Sequence, residues 1–304
     1  MKQKTCIIIA GPTASGKTDI AISVAEHYNT EIISADSRQC FKELNIGVAK
    51  PSNEQLATVP HHFINSHSIT ENISAADFEK YALQAVEKIF EHNDVAVMCG
   101  GTGLYIKAFC EGLDDIPEAG AEIKNTISEN YNASGISWLQ NCIQKEDPFF
   151  WEKGENQNPH RLMRALEVMR STGKSVLAYH QQIKKERYFD ILKFGLNVPR
   201  EILYDRINTR IDKMRQTGLT DEVRLLAPYK TLNALQTVGY SELFQYFKNE
   251  ISEEKAFELI KQNTRHYAKR QMTWFKKDGD IQWLEPMKAA ELIINNYQFK
   301  ILHQ

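Results

Sequence analysis

Residues 11–18 have the types and the spacing that suit the binding of phosphate oxygens. They match the pattern G-x-x-x-x-G-K-[ST], directly after a short apolar run and before a stretch with helical periodicity. In such a loop, successive backbone N–H groups and the start of the helix face the phosphate, and the lysine adds a positive charge. The sequence therefore predicts a phosphate-binding loop, or P-loop. Its residues are Gly11, Pro12, Thr13, Ala14, Ser15, Gly16, Lys17 and Thr18.

The hydroxyl of Thr18 is the candidate metal ligand, because Mg²⁺ prefers oxygen ligands beside a bound phosphate. We therefore expect Mg²⁺ as a cofactor. Enzymes of this kind that hydrolyse ATP normally also carry an acid at a strand end. The third predicted strand, residues 95–99, is followed instead by Gly100, Gly101 and Thr102. This argues against an ATPase or a kinase.

Asp36 directly follows the second predicted strand, residues 31–35. In open parallel sheets the ligand lies beyond the carboxyl ends of the strands. Asp36 would then face the P-loop, as a general base or as a contact to Mg²⁺. An aspartate at such a point also commonly caps a turn or a helix. Both interpretations stay open.

The net charge of −2 conceals a strong asymmetry along the chain. Residues 1–159 carry 12 Lys and Arg against 22 Asp and Glu, whereas residues 160–277 carry 23 against 13. A basic half indicates a polyanionic partner such as nucleic acid. Unevenly charged, solvated helix faces would give the same counts.

The last long predicted helix, residues 252–277, interleaves basic side chains with Tyr267, Trp274 and Phe275. Cations beside aromatic rings suit RNA, whose bases stack on such rings. A core stripe of aromatics with cations on the wet face would look alike. Two smaller basic groups share a helix face each, at the spacing of one turn. They are Arg161 with Arg164, and Arg206 with Arg210 and Lys213.

Short buried runs alternate with helical patterns in the first third of the chain. Strands are predicted at residues 6–10, 31–35, 95–99 and 191–198, and helices at 18–28, 74–91, 202–217, 221–226, 241–247 and 252–277. This order predicts an α/β fold, with a P-loop NTPase-like core whose parallel β-sheet is flanked by helices. Residues 1–112 and 190–304 form the predicted catalytic core with its C-terminal helices. Residues 113–189 form a mostly helical insertion.

Several classes of protein are disfavoured by composition. No apolar run approaches the length of a membrane span, and the default location is cytoplasmic. The five cysteines include no C-x-x-C pair, which gives no sign of a disulfide framework or a zinc site.

As a set, the motifs resemble the bacterial tRNA dimethylallyltransferases, the IPP transferase family. The matching segments run in the family's order across nearly the whole chain. They are GPTASGKT at 11–18, IISADSRQ at 32–39, NIGVAKP at 45–51, VPHH at 59–62, GGTGLY at 100–105, NPHR at 158–161, RALE at 164–167, VGY at 238–240 and TRHYAKRQMTWF at 264–275.

The resemblance implies transfer of a dimethylallyl group from dimethylallyl diphosphate to N6 of adenosine 37, in tRNAs that read UNN codons. The products would be N6-dimethylallyladenosine and diphosphate. It implies that the P-loop holds the diphosphate of the donor, which fits the missing acid after the third strand. The implied catalytic residues are Asp36 as the base, with Thr13, Lys17 and Arg210 on the diphosphate.

The resemblance also implies an anticodon stem-loop clamped by the insertion and an adenosine that leaves its stack. We expect a monomer, although the residues do not themselves indicate an oligomeric state. The implied tRNA-binding residues are Asp36, Ser37, Arg38, Gln39, Thr102, Lys124, His160, Arg161, Leu162, Met163 and Arg164.

Three other functions stay open on the residues. A transferase that prenylates free adenylate would share the P-loop and the base, but would need neither the insertion nor the basic last helix. A small-molecule kinase would turn over ATP. A non-catalytic RNA-binding protein would keep its function without Asp36.

Overall fold

A parallel six-stranded sheet forms the centre of the protein, for which the computed structural model describes residues 3–180 and 183–302. The strand order is β3-β2-β4-β1-β5-β6. The two central strands, β1 and β4, are buried throughout, as expected for a sheet covered on both faces. The strands are β1 (Thr5–Ala10), β2 (Ile32–Ala35), β3 (His61–His62), β4 (Val95–Gly100), β5 (Asp190–Leu196) and β6 (Gln282–Leu284).

The predicted strands and core helices are confirmed, with ends that shift by at most two residues. The strands β3 and β6 were missed, because two or three residues are too few to show a period. In chain order the α-helices are α1 (Lys17–Tyr28), α2 (Asn53–Thr58), α3 (Ala75–Phe90), α4 (Gly103–Glu111), α5 (Ala121–Glu146), α6 (Pro148–Lys153), α7 (Pro159–Thr172), α8 (Arg200–Gln216), α9 (Leu219–Leu225), α10 (Tyr240–Phe247), α11 (Glu253–Phe275) and α12 (Pro286–Leu302).

The two faces of the sheet pack into separate apolar clusters. Alternate residues of β1 point to opposite faces, so that Ile8 belongs to one cluster and Ile7 and Ile9 to the other. The first cluster includes residues of α3, α4 and α8 to α11, and the second includes residues of α1 and α12. This is the predicted α/β architecture.

The chain divides into two compact units, a core unit of Met1–Cys110 with Glu186–Gln304 and an insertion unit of Glu111–Lys185. The insertion unit was predicted as residues 113–189. Residues 186–189 belong instead to the core unit, where Phe189 is buried. Arg187 there donates to Phe109 O at 2.8 Å and pairs with Glu79 at 2.8 Å.

The insertion unit is helical and has an apolar core of its own, formed by α5, α6 and α7. Helix α5 is interrupted at Gly135, whose φ of 68° and ψ of −166° only glycine adopts easily. Across residues 3–180 and 183–302, no helix combines the length and the hydropathy that crossing a membrane requires.

Candidate active site

The P-loop joins the end of β1 to the start of α1, as the motif requires. Its backbone is left-handed at Ala14, with φ 63°, and at Gly16, with φ 88°. Turns of this kind point successive N–H groups into one concavity that suits an anion. Gly11 packs closely, since a Cβ there would lie 3.1 Å from Ser15 Oγ.

Three cations surround the loop, two of them from α8. Lys17 Nζ donates to Pro12 O at 3.3 Å, and Arg210 Nη1 donates to the hydroxyl of Thr13 at 3.4 Å. Arg206 Nη1 donates to Ser15 O at 3.4 Å. Burial lowers the pKa of Lys17 and of Arg210. Burial thus destabilises the charged form of each side chain, and a bound anion would stabilise that form again.

The structure shows Asp36 in one of the two roles that its sequence position allows, the capping of a turn. Its Oδ1 accepts hydrogen bonds from Arg38 N at 2.9 Å and from Gln39 N at 3.3 Å, which is a capping turn. No hydrogen bond reaches its Oδ2 from the described part of the chain. One oxygen thus fixes the carboxylate, and the other stays available to accept a proton.

Gln271 is a functional residue that sequence reasoning did not single out. Its Oε1 accepts from Thr13 N at 2.8 Å, and its Nε2 donates to Gly101 O at 2.9 Å. Only 7% of the residue is exposed, and a Cβ on Gly101 would come within 2.3 Å of its Nε2. A polar residue on the core stripe of α11 was the available signal.

Thr102 ties the turn after β4 to the turn after β2. Its hydroxyl accepts from Ser37 N at 3.1 Å, and its own N–H donates to Ala35 O at 3.1 Å. The turn that carries Asp36 is therefore held from the side of the sheet.

Thr13, Lys17, Asp36, Arg210 and Gln271 line one cleft of the core unit, with a volume of about 1340 Å³, whereas Arg206 and Thr102 lie outside its lining. Its walls also include the segment 45–56 and parts of α8 and α11. Of the predicted core-unit site residues, the cleft is lined by Thr13, Ala14, Gly16, Lys17, Thr18, Asp36, Ser37, Arg38, Gln39 and Arg210.

Besides Asp36 and Thr102, two more of the predicted tRNA-binding side chains in the core unit are engaged with protein groups. Arg38 Nη1 donates to Asn233 O at 3.0 Å. The amide of Gln39 donates to Val48 O and Ala49 O and accepts from Ser34 Oγ. The carboxamide of Gln39 therefore orders the neighbouring segment of the cleft.

In the insertion unit, the predicted tRNA-binding residues lie on α7 and near the start of α5. Asn158 caps α7 by accepting from His160 N at 3.0 Å and from Arg161 N at 3.4 Å, and both of those residues are exposed. Arg164 and Met163 are half-buried, and Arg164 lies 3.6 Å from Glu167. Lys124 Nζ lies 3.3 Å from Glu118.

The prediction for Leu162 needs correction. Its side chain is fully buried in the apolar core of the insertion unit, with no exposed surface. The side chain therefore stabilises α7 and cannot contact an RNA.

Some aromatic side chains of α11 are buried in the core, and others are exposed where they could stack on RNA bases. Phe275 is buried at 2% exposure, whereas Tyr267 is 36% and Trp274 43% exposed. Trp274 lines a shallow hollow of about 410 Å³ with His266, Lys269, Arg270, Thr273 and Lys277. The exposed rings thus lie among cations, as RNA binding would require.

Fold and cleft together define the class: an α/β P-loop protein in which a basic phosphate cradle and a half-engaged carboxylate line one cleft. The model of the IPP transferase family matches residues 39–278. The chain belongs to the IPP transferase family.

Relatives match over nearly full length. The chain is 48% identical over 295 residues to the tRNA dimethylallyltransferase of Christiangramia forsetii, covering 97% of this chain and 98% of the relative. It is 43% identical to that of Cytophaga hutchinsonii, with 95% of each chain covered.

Solved structures agree in fold. The tRNA isopentenylpyrophosphate transferase of Bacillus halodurans superimposes with a TM-score of 0.72 at 32% identity, covering 99% of this chain and 98% of that one. A eukaryotic dimethylallyltransferase acting on tRNA gives a TM-score of 0.76 at 26% identity, over 98% of this chain and 78% of that one.

Proposed function

We propose that this enzyme transfers the dimethylallyl group of dimethylallyl diphosphate to N6 of adenosine 37, in tRNAs that read UNN codons. The products are N6-dimethylallyladenosine and diphosphate. The observation that carries the proposal is the pairing, in one cleft, of the P-loop cations with the available Oδ2 of Asp36. Names of relatives at 43–48% identity support the same reaction.

The reaction exchanges one bond for another. The C1–O bond of the donor breaks and its electron pair leaves with the diphosphate, while N6 forms a bond to C1. The proton of N6 passes to Asp36 Oδ2. Negative charge grows on the leaving diphosphate, and fixed cations stabilise that charge most strongly in a cleft that excludes water. Lys17, Arg210 and the Thr13 hydroxyl are the groups placed to do so.

Thr18 is the residue that would hold Mg²⁺. It lines the cleft, and no other side chain of the described chain engages its hydroxyl in a hydrogen bond. A hydroxyl oxygen beside phosphate oxygens is a suitable donor set for this ion. The ion would supply charge neutralisation at the diphosphate.

The tRNA is the acceptor, and its adenosine must leave the stack to reach the donor. The anticodon stem-loop would contact exposed or half-buried residues of both units. Most of them are polar or charged, which supports a nucleic-acid partner together with the basic 160–277 region. These residues are Asp36, Ser37, Arg38, Thr102, Lys124, His160, Arg161, Met163 and Arg164. We propose further that the enzyme is cytoplasmic and monomeric. Light scattering of the purified chain would check the monomer.

The deciding experiment incubates the purified protein with Mg²⁺, dimethylallyl diphosphate and unmodified tRNA, followed by mass analysis of the digested nucleosides. We expect a prenyl mass gain on adenosine. In Asp36→Asn, Oδ1 and its two hydrogen bonds are kept while the base is lost, so we expect kcat to fall by about 10³. Affinity for tRNA should change little.

Asp280→Asn, an exposed carboxylate remote from the cleft in sequence, is the matched control and should leave kcat unchanged. Prenylation of AMP faster than of tRNA would point to the free-nucleotide enzyme, and phosphorylated product with ATP to a kinase. An Asp36→Asn variant as active as the wild type would refute the assigned base.

A further inference from the structure

The segment 46–49 forms a wall of the cleft, and its side chains are apolar. Ile46, Val48 and Ala49 line the cleft and are each half-buried. They also pack against the larger apolar cluster of the core unit. Hydrocarbon surface is therefore presented to the same cavity that the P-loop cations line.

Most polar backbone groups of this wall have hydrogen-bond partners within the protein. One carboxylate, that of Glu222 in α9, accepts from Asn45 N at 3.1 Å, Ile46 N at 2.7 Å and Gly47 N at 3.0 Å. On the other side, Gln39 Nε2 donates to Val48 O at 3.3 Å and to Ala49 O at 3.0 Å. The wall therefore has few hydrogen-bonding groups left to offer to a ligand.

Tyr240 also holds the wall in place, by contacting both Glu222 and the backbone at Gly47. The hydroxyl of Tyr240 donates to Glu222 at 2.6 Å, and the Tyr240 ring lies 2.6 Å from where a Cβ of Gly47 would stand. Tyr240 itself is fully buried. Glycine is required at position 47 because the backbone passes directly over this ring.

The wall is connected to the base by a short chain of hydrogen bonds. Gln39, which holds Val48 O and Ala49 O, donates its own N–H to Asp36 Oδ1. A displacement of the wall would therefore displace Gln39 and, through it, the turn that carries the base.

From this arrangement, and resting on the proposed function, we infer that Ile46, Val48 and Ala49 form the surface against which the hydrocarbon of the donor packs. Glu222 is the positioning residue that holds it. A ligand with an anionic head at the P-loop and a short apolar tail on this wall matches the cleft at both ends. A ribose or a base would need hydrogen-bonding partners that the wall lacks.

The test separates head from tail by measuring the dissociation constants of inorganic diphosphate and of dimethylallyl diphosphate, in Mg²⁺ and without tRNA. The dissociation constant of diphosphate divided by that of dimethylallyl diphosphate reports the contribution of the tail alone. In Ile46→Ala we expect this ratio to fall about tenfold, since each buried CH₂ contributes about fourfold in affinity and burial here is partial. Diphosphate binding should be unchanged.

Glu222→Gln keeps the volume but leaves one accepting oxygen for four donors. We expect a loss of similar size in the ratio, again with unchanged diphosphate binding. The controls are Ile202→Ala and Glu250→Gln, an exposed isoleucine and an exposed glutamate outside the cleft, and both should keep the wild-type ratio.

An unchanged ratio in Ile46→Ala, or equal losses for both ligands in Glu222→Gln, would overturn the inference. The first result would move the tail elsewhere, and the second would give Glu222 a merely structural role. Neither would touch the proposed function, which fails only if the wild-type enzyme does not prenylate tRNA.

Discussion

In the core unit, the side chains around the P-loop are held by partners that are distant in sequence. Gln271 binds Thr13 across 258 positions, and Arg210 reaches the same threonine across 197. In the insertion unit, the contacts at the start of α7 span shorter stretches of sequence. The side chain of Asn158 accepts from the backbone N–H groups of His160 and Arg161. Arg164 pairs with Glu167 one turn on and also donates to Ile116 O and Pro117 O, 48 and 47 positions away.

The difference corresponds to what each region is proposed to do. Bond making requires reacting groups to be fixed to well under an ångström, and only tertiary contacts from several elements achieve that. A surface that binds a phosphate backbone tolerates small displacements of its side chains, because long-range electrostatic attraction supplies most of the affinity. Local capping is sufficient there. Substitutions at distant contacts in the core unit should therefore act on stability and chemistry together, whereas those on α7 should act on RNA affinity alone.

Among the substitutions that bear on this comparison, the largest effect is expected for Gln271→Leu. It leaves the half-buried Thr13 N–H and the buried Gly101 C=O without their partner, which should lower the free energy of unfolding by about 2–3 kcal/mol. Because Thr13 also contacts Arg210, diphosphate affinity and kcat should fall with it. Denaturant titration and diphosphate calorimetry measure the two consequences. Gln262→Leu, exposed on the same helix, is the control and should be neutral. A Gln271→Leu protein as stable as the wild type would break the comparison.

A tenfold effect is expected for Arg161→Ala on α7. The KM for tRNA should rise about tenfold, and the slope of log affinity against log salt should become shallower by about one. The kcat and the affinity for diphosphate should not change, because this guanidinium is exposed and has no role in the P-loop cleft. Steady-state kinetics at several salt concentrations give all three quantities.

The matched control is Lys174→Ala, an exposed cation just beyond the other end of α7. If both variants weakened tRNA binding equally, the effect would come from net charge and not from the start of the helix. A loss of diphosphate affinity in Arg161→Ala would contradict the division of labour between the two units.

The same contrast explains what could be predicted from the sequence. The P-loop, Asp36 and the cap of α7 depend on neighbours in the chain, and their local patterns are visible. The partners Gln271 and Glu222 could not be assigned, because nothing local tells which loop a helix will pack against. Leu162 was placed among tRNA contacts by its motif, although its position on the apolar stripe of α7 already favoured the core. The strands β3 and β6 depend on pairing with β2 and β5 for their existence.

The smallest expected effect concerns the proton of Lys17. Burial lowers its pKa in the unliganded cleft, so the amine loses its proton at a lower pH than an ordinary lysine. Bound diphosphate favours the charged form and raises the pKa again. Between the two values, binding must take up a fraction of a proton, and affinity must weaken as the pH rises. Calorimetry at alkaline pH, in buffers of different ionisation enthalpy, measures that uptake.

Lys17→Arg supplies the reference, because a guanidinium stays protonated throughout this range. Subtracting its proton uptake removes the contribution of the diphosphate, which itself titrates. We expect the wild type to take up more protons than Lys17→Arg, by an amount that grows as the pH rises through the lowered pKa of Lys17. Equal uptake in both proteins would mean that the unliganded cleft already stabilises the charged lysine. The distant contacts of the core unit would then position the diphosphate, but the charged form of Lys17 would not depend on that diphosphate for its stabilisation.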